Sequence, residues 1–161
     1  MCGHCDEDDP TESGYEYYVR VIRPIIDEFG WFIQYVHAEG TFASFAYTIG
    51  LTEHGCPELI ATGVTPEEAA ALLNTGGEVL HRRELRHGQR VAVAGRRVEV
   101  VDLPHPEAHL LFAGDVYGDR LTAVQLVCSD ERGIWPWSRE HRGGLGGQPV
   151  LGPRAVRLRA G

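Results

Sequence analysis

No stretch of this chain approaches the roughly 18 consecutive apolar residues of a membrane-spanning helix, and Met1 to Asp9 lack a basic run followed by an apolar one. These absences argue against a membrane protein and set the expectation of a soluble cytoplasmic one. Positive charge is also scarce. The sequence carries 15 basic against 23 acidic residues, a formal net charge of -8, and arginine supplies every basic side chain other than histidine. Long-range repulsion then disfavours unselective binding to nucleic acid or to anionic lipid. There are only four cysteines and no internal repeat. In a reducing cytosol these read as thiols or metal ligands rather than as a disulfide framework. What is present is a chain of 161 residues with 43% hydrophobic content, enough for one globular core and not for a second.

Ser13-Gly-Tyr-Glu16 has capping-box spacing. After it Tyr15, Tyr18, Val19, Ile22, Ile25, Ile26 and Phe29 recur every three or four residues, which predicts a helix over 14–29 that Pro24 can bend and Gly30 stops. From Trp31 the period changes to two. Residues 31–36 and 42–49 read as paired strands joined by Ala38-Glu-Gly40, and 59–63 as a third strand. Thr65-Pro-Glu-Glu68 is a strong helix start with Ala69, Leu72 and Leu73 on the buried face, although Gly76-Gly77 predicts an end or a restart there. Residues 90–94 and 96–101 flank Gly95 as a hairpin, 106–111 suit a short helix, and 121–128 a further strand.

Short turns between strands, with helices at the start and in the middle, predict a single α+β domain. Its sheet is mainly antiparallel, with an N-terminal and a central helix packed on it. The expected division is an acidic, Cys-containing segment over 1–13, the α+β domain over 14–138, and a Gly/Arg-rich tail over 139–161 that docks late or stays mobile.

Tyr47, Thr48, His54 and Glu58 lie at a strand end and in the turn beyond it. Polar groups there can converge on a ligand while the sheet holds them rigid. They can equally tie down the turn itself. Gln125 can reach the same region from another strand, and Trp135-Pro-Trp137 can supply a flat apolar wall or cover the edge of the core. A second polar cluster, Asp102, His105 and His109, can meet one metal or one acidic substrate if Pro106 opens a helix; otherwise it is a capped surface turn. Cys2, Cys5, His54 and Cys56 offer the thiolate and imidazole ligands of structural zinc, but strong zinc signatures repeat the Cys-x-x-Cys pair and this chain does not. The glycine run Gly143-Gly-Leu-Gly-Gly-Gln148 beside Arg142 lacks the strand and helix that flank a phosphate loop, and reads as a flexible loop.

Phe45-Ala-Tyr-Thr-Ile-Gly-Leu51, Glu53-His-Gly-Cys-Pro-Glu-Leu59, Val124-Gln-Leu-Val127 and Arg132-Gly-Ile-Trp-Pro-Trp137 follow one another in order. Together they resemble the bacterial family known as domain of unknown function DUF4262, from the first helix through the Trp-Pro-Trp segment. The resemblance implies no activity and no assigned catalytic residue. The chain departs from the usual pattern at Cys56, where histidine is familiar, and at Cys128, where an aromatic is common.

Two readings follow. One is a small-molecule site, open to enzymatic use, formed by the Tyr47 to Glu58 segment with Gln125, Trp135 and Trp137; zinc and, behind it, flavin are the cofactors left open. The other is a non-enzymatic interaction or accessory module, with or without structural zinc. Its acidic start and basic finish suit a protein partner or a second copy of the chain.

Overall fold

The computed structural model describes residues 12–155. The first helical stretch spans α1 (Gly14–Tyr17), a π-helical turn (Tyr18–Ile22) and α2 (Arg23–Phe29). Ser13 and Glu16 close the predicted capping box. The π turn sits just ahead of Pro24, whose missing N–H relaxes the ladder; the Arg23 amide bonds the Tyr18 carbonyl, five residues back. Gly30, at φ 99°, ends the helix.

Six strands follow: β1 (Phe32–Val36), β2 (Phe45–Ile49), β3 (Glu58–Thr62), β4 (Arg90–Val93), β5 (Arg96–Asp102) and β6 (Ala123–Cys128). They form one sheet in the order β1-β2-β3-β6-β5-β4. Every pairing is antiparallel except β3 with β6. This is the α+β domain with a mainly antiparallel sheet that the sequence pattern predicts.

Both faces of the sheet are covered. On one lies α3 (Pro66–Arg82), which buries Ala69, Leu72, Leu73 and Leu80 against Leu59, Ala61, Val98, Val100 and Leu126. On the other, Tyr18, Ile22 and Ile26 join Leu110, Ala113 and Tyr117 of the α4 region (Leu111–Tyr117) over Tyr47, Ile49 and Ile60. Two-sided burial explains why β3 and β6 read as continuous apolar runs instead of alternating ones.

Gly76-Gly77 does not end α3. A Cβ at Gly76 would lie 2.9 Å from both Leu59 Cδ1 and Leu126 Cδ1, and one at Gly77 would lie 2.8 Å from the Trp31 ring. The glycines let the helix lie close against the sheet and the indole, and that packing outweighs their poor helix propensity of about 1 kcal/mol each. The predicted helix at 106–111 is displaced: Pro106–Ala108 forms only a 3-10 turn, and α4 begins at Leu111.

The segment after residue 139 is docked as far as it is described. Registered pairing of β3 with β6 ends at Ile60 and Gln125. Beyond that point the Gln148 side chain takes the place of a strand, accepting from the Cys128 N–H and donating to its carbonyl, each at 2.8 Å. The Pro149 carbonyl accepts from Thr62 Oγ1 and Gln125 Nε2, and the Leu151 amide donates to Gln125 Oε1. Polar side chains that anchor a returning segment carry no periodic signal, which is why the sequence reads here as loop.

Candidate functional site

The Tyr47 to Glu58 segment forms a closed polar knot. Glu58 is fully buried and accepts from the Thr48 hydroxyl at 2.6 Å, the Gly50 amide at 2.9 Å, the Leu51 amide at 3.3 Å, and the Thr52 amide and hydroxyl at 3.0 and 2.9 Å. Burial pushes its carboxyl up from the usual range while these donors pull it down, Thr48 foremost. Thr48 Oγ1 in turn accepts from the Leu59 amide. Tyr47 is buried, and its hydroxyl accepts from the Phe112 amide at 3.2 Å; burial raises its pKa. Gln125 holds the returning segment. All four side chains therefore face protein partners, and His54 alone of the turn group is exposed, with Nε2 donating to the Gly30 carbonyl at 3.1 Å.

Trp135 and Trp137 stand elsewhere, stacked at 5.2 Å with planes 6° apart. Arg90 and Arg97 cover Trp135 at 4.6 and 5.8 Å, and Arg154 covers Trp137 at 3.4 Å. Arg90 and Arg154 also pair with Glu99, which is 1% exposed, at 3.1 and 3.5 Å. The indole wall is thus an arginine-capped ladder that pins the returning segment.

The Asp102 cluster does not assemble. The Asp102 amide donates to His87 Nδ1, while His105 lies 3.7 Å from Glu107 on the surface. The 3-10 turn removes the α-helical spacing that would align His105 with His109. Cys2 and Cys5 lie outside the described residues. Cys56 turns its thiol toward the His54 carbonyl at 3.7 Å, and burial, followed by the charge of Glu58, raises its pKa. Among the described residues no group of three or more His, Cys, Asp or Glu side chains is placed to hold a metal ion. No helix among them is long and apolar enough to cross a membrane.

Two clefts open at opposite ends of the central strands. The narrower, about 930 Å³, lies by the start of β3 and β6 and includes Cys56 and Asp102 with His87, which holds the Asp102 amide. The wider, about 1190 Å³, lies beyond the carboxyl ends of β3 and β6, among Tyr35, Phe42, Val64, Thr65, Arg96, Asp130, Arg132 and Arg142. Its position follows from topology. After β3 the chain enters α3 on one face, whereas after β6 it returns over the other face. Neighbouring parallel strands whose connections leave to opposite sides open a crevice at their carboxyl ends, where ligands of open sheets bind.

The sides of this cleft are fixed by a network the sequence does not advertise. Asp130 accepts from the amides of Ile134 at 2.8 Å, Arg132 at 2.9 Å and Arg142 at 2.8 Å, led by Ile134 in holding its carboxyl below the usual range. Buried His141 donates Nδ1–H to the Ile134 carbonyl at 2.8 Å and accepts from Gln148 at Nε2. Arg142, at φ 51°, donates to the Gly63 carbonyl at 2.9 Å. Glu68 caps Thr65. Among the described residues Arg96 reaches the Ser129 carbonyl at 3.4 Å and Glu68 at 4.0 Å. Arg132 and Glu131 are exposed, and neither side chain makes an ion pair or hydrogen bond within the described residues. One sequence signal for the cleft exists: Thr65-Pro-Glu-Glu68 starts a helix directly after a strand, which marks a strand's carboxyl end as a site.

Fold and cleft define a single-domain α+β protein with a crevice at a parallel strand pair. The family model DUF4262, a domain of unknown function, matches residues 25–142, and the chain belongs to that family. Comparisons with curated proteins and with solved structures return no match.

Proposed function

We propose that this chain is a small-molecule-binding domain whose ligand occupies the cleft at the carboxyl ends of β3 and β6, and that the ligand is anionic. The observation that carries the reading is an imbalance of engagement. Asp130 is saturated by three amides, Arg142 is held on Gly63, and Glu68 caps Thr65 while lying 4.0 Å from Arg96, which leaves exposed Arg132, beside Glu131, as the cleft guanidinium with no ion pair or hydrogen bond among the described residues. Guanidinium groups with free donors recognise carboxylate or phosphate bidentately. Tyr35 and Phe42 supply an apolar side for the rest of the molecule. The Ser44 hydroxyl donates to the Val64 carbonyl and is committed there, which favours a binding role for this side of the cleft. A cytoplasmic setting suits this reading.

The test is an amide chemical-shift titration with inorganic phosphate, citrate and adenosine monophosphate. Shifts centred on Gly63, Thr65, Arg132 and Gly143 are expected with at least one of them. Arg132→Ala should weaken that binding about tenfold or more, and Ala43→Trp should block it by filling the cleft. Absence of shifts with all three, or shifts confined to other surfaces, overturns the proposal. Phe42 is 78% exposed and Leu145 89% exposed, which favours a protein partner as the second reading; Leu145→Ser, outside the cleft lining, should then weaken capture of that partner without changing the anion titration.

A further inference from the structure

At the far end of the sheet from the cleft, two histidines from distant parts of the chain meet on the surface. His54 lies in the 3-10 turn after β2 and His81 in the last turn of α3. Their ring centroids are 5.0 Å apart with planes at 82°. Each ring has one nitrogen fixed by a backbone carbonyl: His54 Nε2–H donates to Gly30 O at 3.1 Å, and His81 Nδ1–H donates to Gly77 O at 3.0 Å. In the neutral form this leaves a lone pair on His54 Nδ1 and another on His81 Nε2. A metal-binding imidazole is arranged in this manner, with its second nitrogen donating to a carbonyl that sets tautomer and ring orientation.

The spacing also fits. A metal–nitrogen bond of about 2.0–2.1 Å places a ring centre about 3.2 Å from the ion, so two imidazoles at a tetrahedral angle have centres about 5 Å apart. Trp31 stacks on His81 at 5.6 Å and is anchored through Nε1 to Asn74 at 3.0 Å. The carboxyl end of α3 adds a partial negative charge that favours a cation there. Cys56 is a poor third ligand, because its thiol faces the His54 carbonyl.

We infer that His54 and His81 form a surface two-imidazole site for a divalent transition-metal ion, with the remaining positions filled by water. Imidazole pairs suit zinc, nickel or copper and not calcium or magnesium. The site differs from the zinc shell expected of His54 with Cys2, Cys5 and Cys56, since its second ligand comes from α3 and no thiolate takes part. It is independent of the anion cleft.

The experiment is a nickel(II) titration of the full chain carrying Cys2→Ser and Cys5→Ser, so that the N-terminal thiols contribute nothing. Calorimetry and tryptophan emission are followed together near neutral pH. One saturable site is expected, with quenching of Trp31 because its ring lies against His81. His54→Gln and His81→Gln, which keep an N–H for the Gly30 and Gly77 carbonyls, should each weaken binding more than about tenfold and leave the melting temperature unchanged. Trp31→Phe should abolish the quenching but retain calorimetric binding. Cys56→Ser should change neither. An unchanged midpoint in either glutamine variant, quenching that survives Trp31→Phe, or loss of binding with Cys56→Ser each overturns the inference.

Discussion

At its first residue, β3 buries a carboxylate under five donors; past its last, the same strand opens into a cleft. The start of β3 gathers the side chains most often associated with chemistry, namely Glu58, Thr48, Thr52 and Tyr47, and the fold engages every one of them internally. The other end is built mainly from turns, and its most open cation, Arg132, opens the Trp-Pro-Trp stretch, which the sequence marks for its tryptophans and not for its charge. A crowded polar sequence at a strand end thus signals a demanding turn as readily as a site. Unengaged donors, not polar density, distinguish the two.

The comparison breaks most visibly at Glu58. Glu58→Ala leaves several buried donors without a partner, so a loss of more than about 3 kcal/mol is expected in urea denaturation. A loss below about 1 kcal/mol would mean that the knot is not structural. Next comes Gln148→Ala, which strips partners from the Cys128 amide and carbonyl; about 1–3 kcal/mol should be lost, with faster hydrogen exchange at Cys128 as the specific readout. Gly77→Ala should cost about 1–3 kcal/mol through collision with Trp31, against the roughly 1 kcal/mol gained in helix propensity. Gly76→Ala should cost less, since the ends of two leucine side chains can shift more easily than an indole.

Acid should separate the two ends by sign. Asp130 has a native pKa held below its ordinary value, so it contributes stability above that value and loses it as pH falls through the native one. Glu58 is raised by burial, so its contribution is full below the ordinary value and declines as pH rises through the native one. Titration below about pH 4 should therefore loosen residues 130–142 before the Glu58 turn, followed by residue-resolved hydrogen exchange. Asp130→Asn should abolish that order. The smallest expected effect on stability is that of Arg132→Ala, within about 0.5 kcal/mol, while anion affinity falls.

Much of this fold was legible because its signals are local. Both capping boxes, the Gly95 hairpin and the helix-to-strand change at Gly30 each depend on a few adjacent residues. The passage of α3 through Gly76-Gly77 was not, since it depends on Leu59, Leu126 and Trp31 arriving from distant positions. The same holds for the site. Tyr47, Thr48 and Glu58 were visible as a group, but their engagement depends on which backbone amides turn inward. His81 was invisible as a partner of His54 because α3 and the turn after β2 meet only in three dimensions.

The matched family region ends at residue 142, yet the packed unit does not. Gln148, Pro149, Leu151 and Arg154 complete the edge of β6, satisfy Gln125 and neutralise Glu99, and at the other terminus Tyr18 and Ile22 fill the core before the match begins. A polypeptide trimmed to residues 25–142 would expose the unsatisfied Cys128 edge as a template for intermolecular strand addition. The family match and the extent of the packed unit are therefore different boundaries in this protein, and the second is the longer.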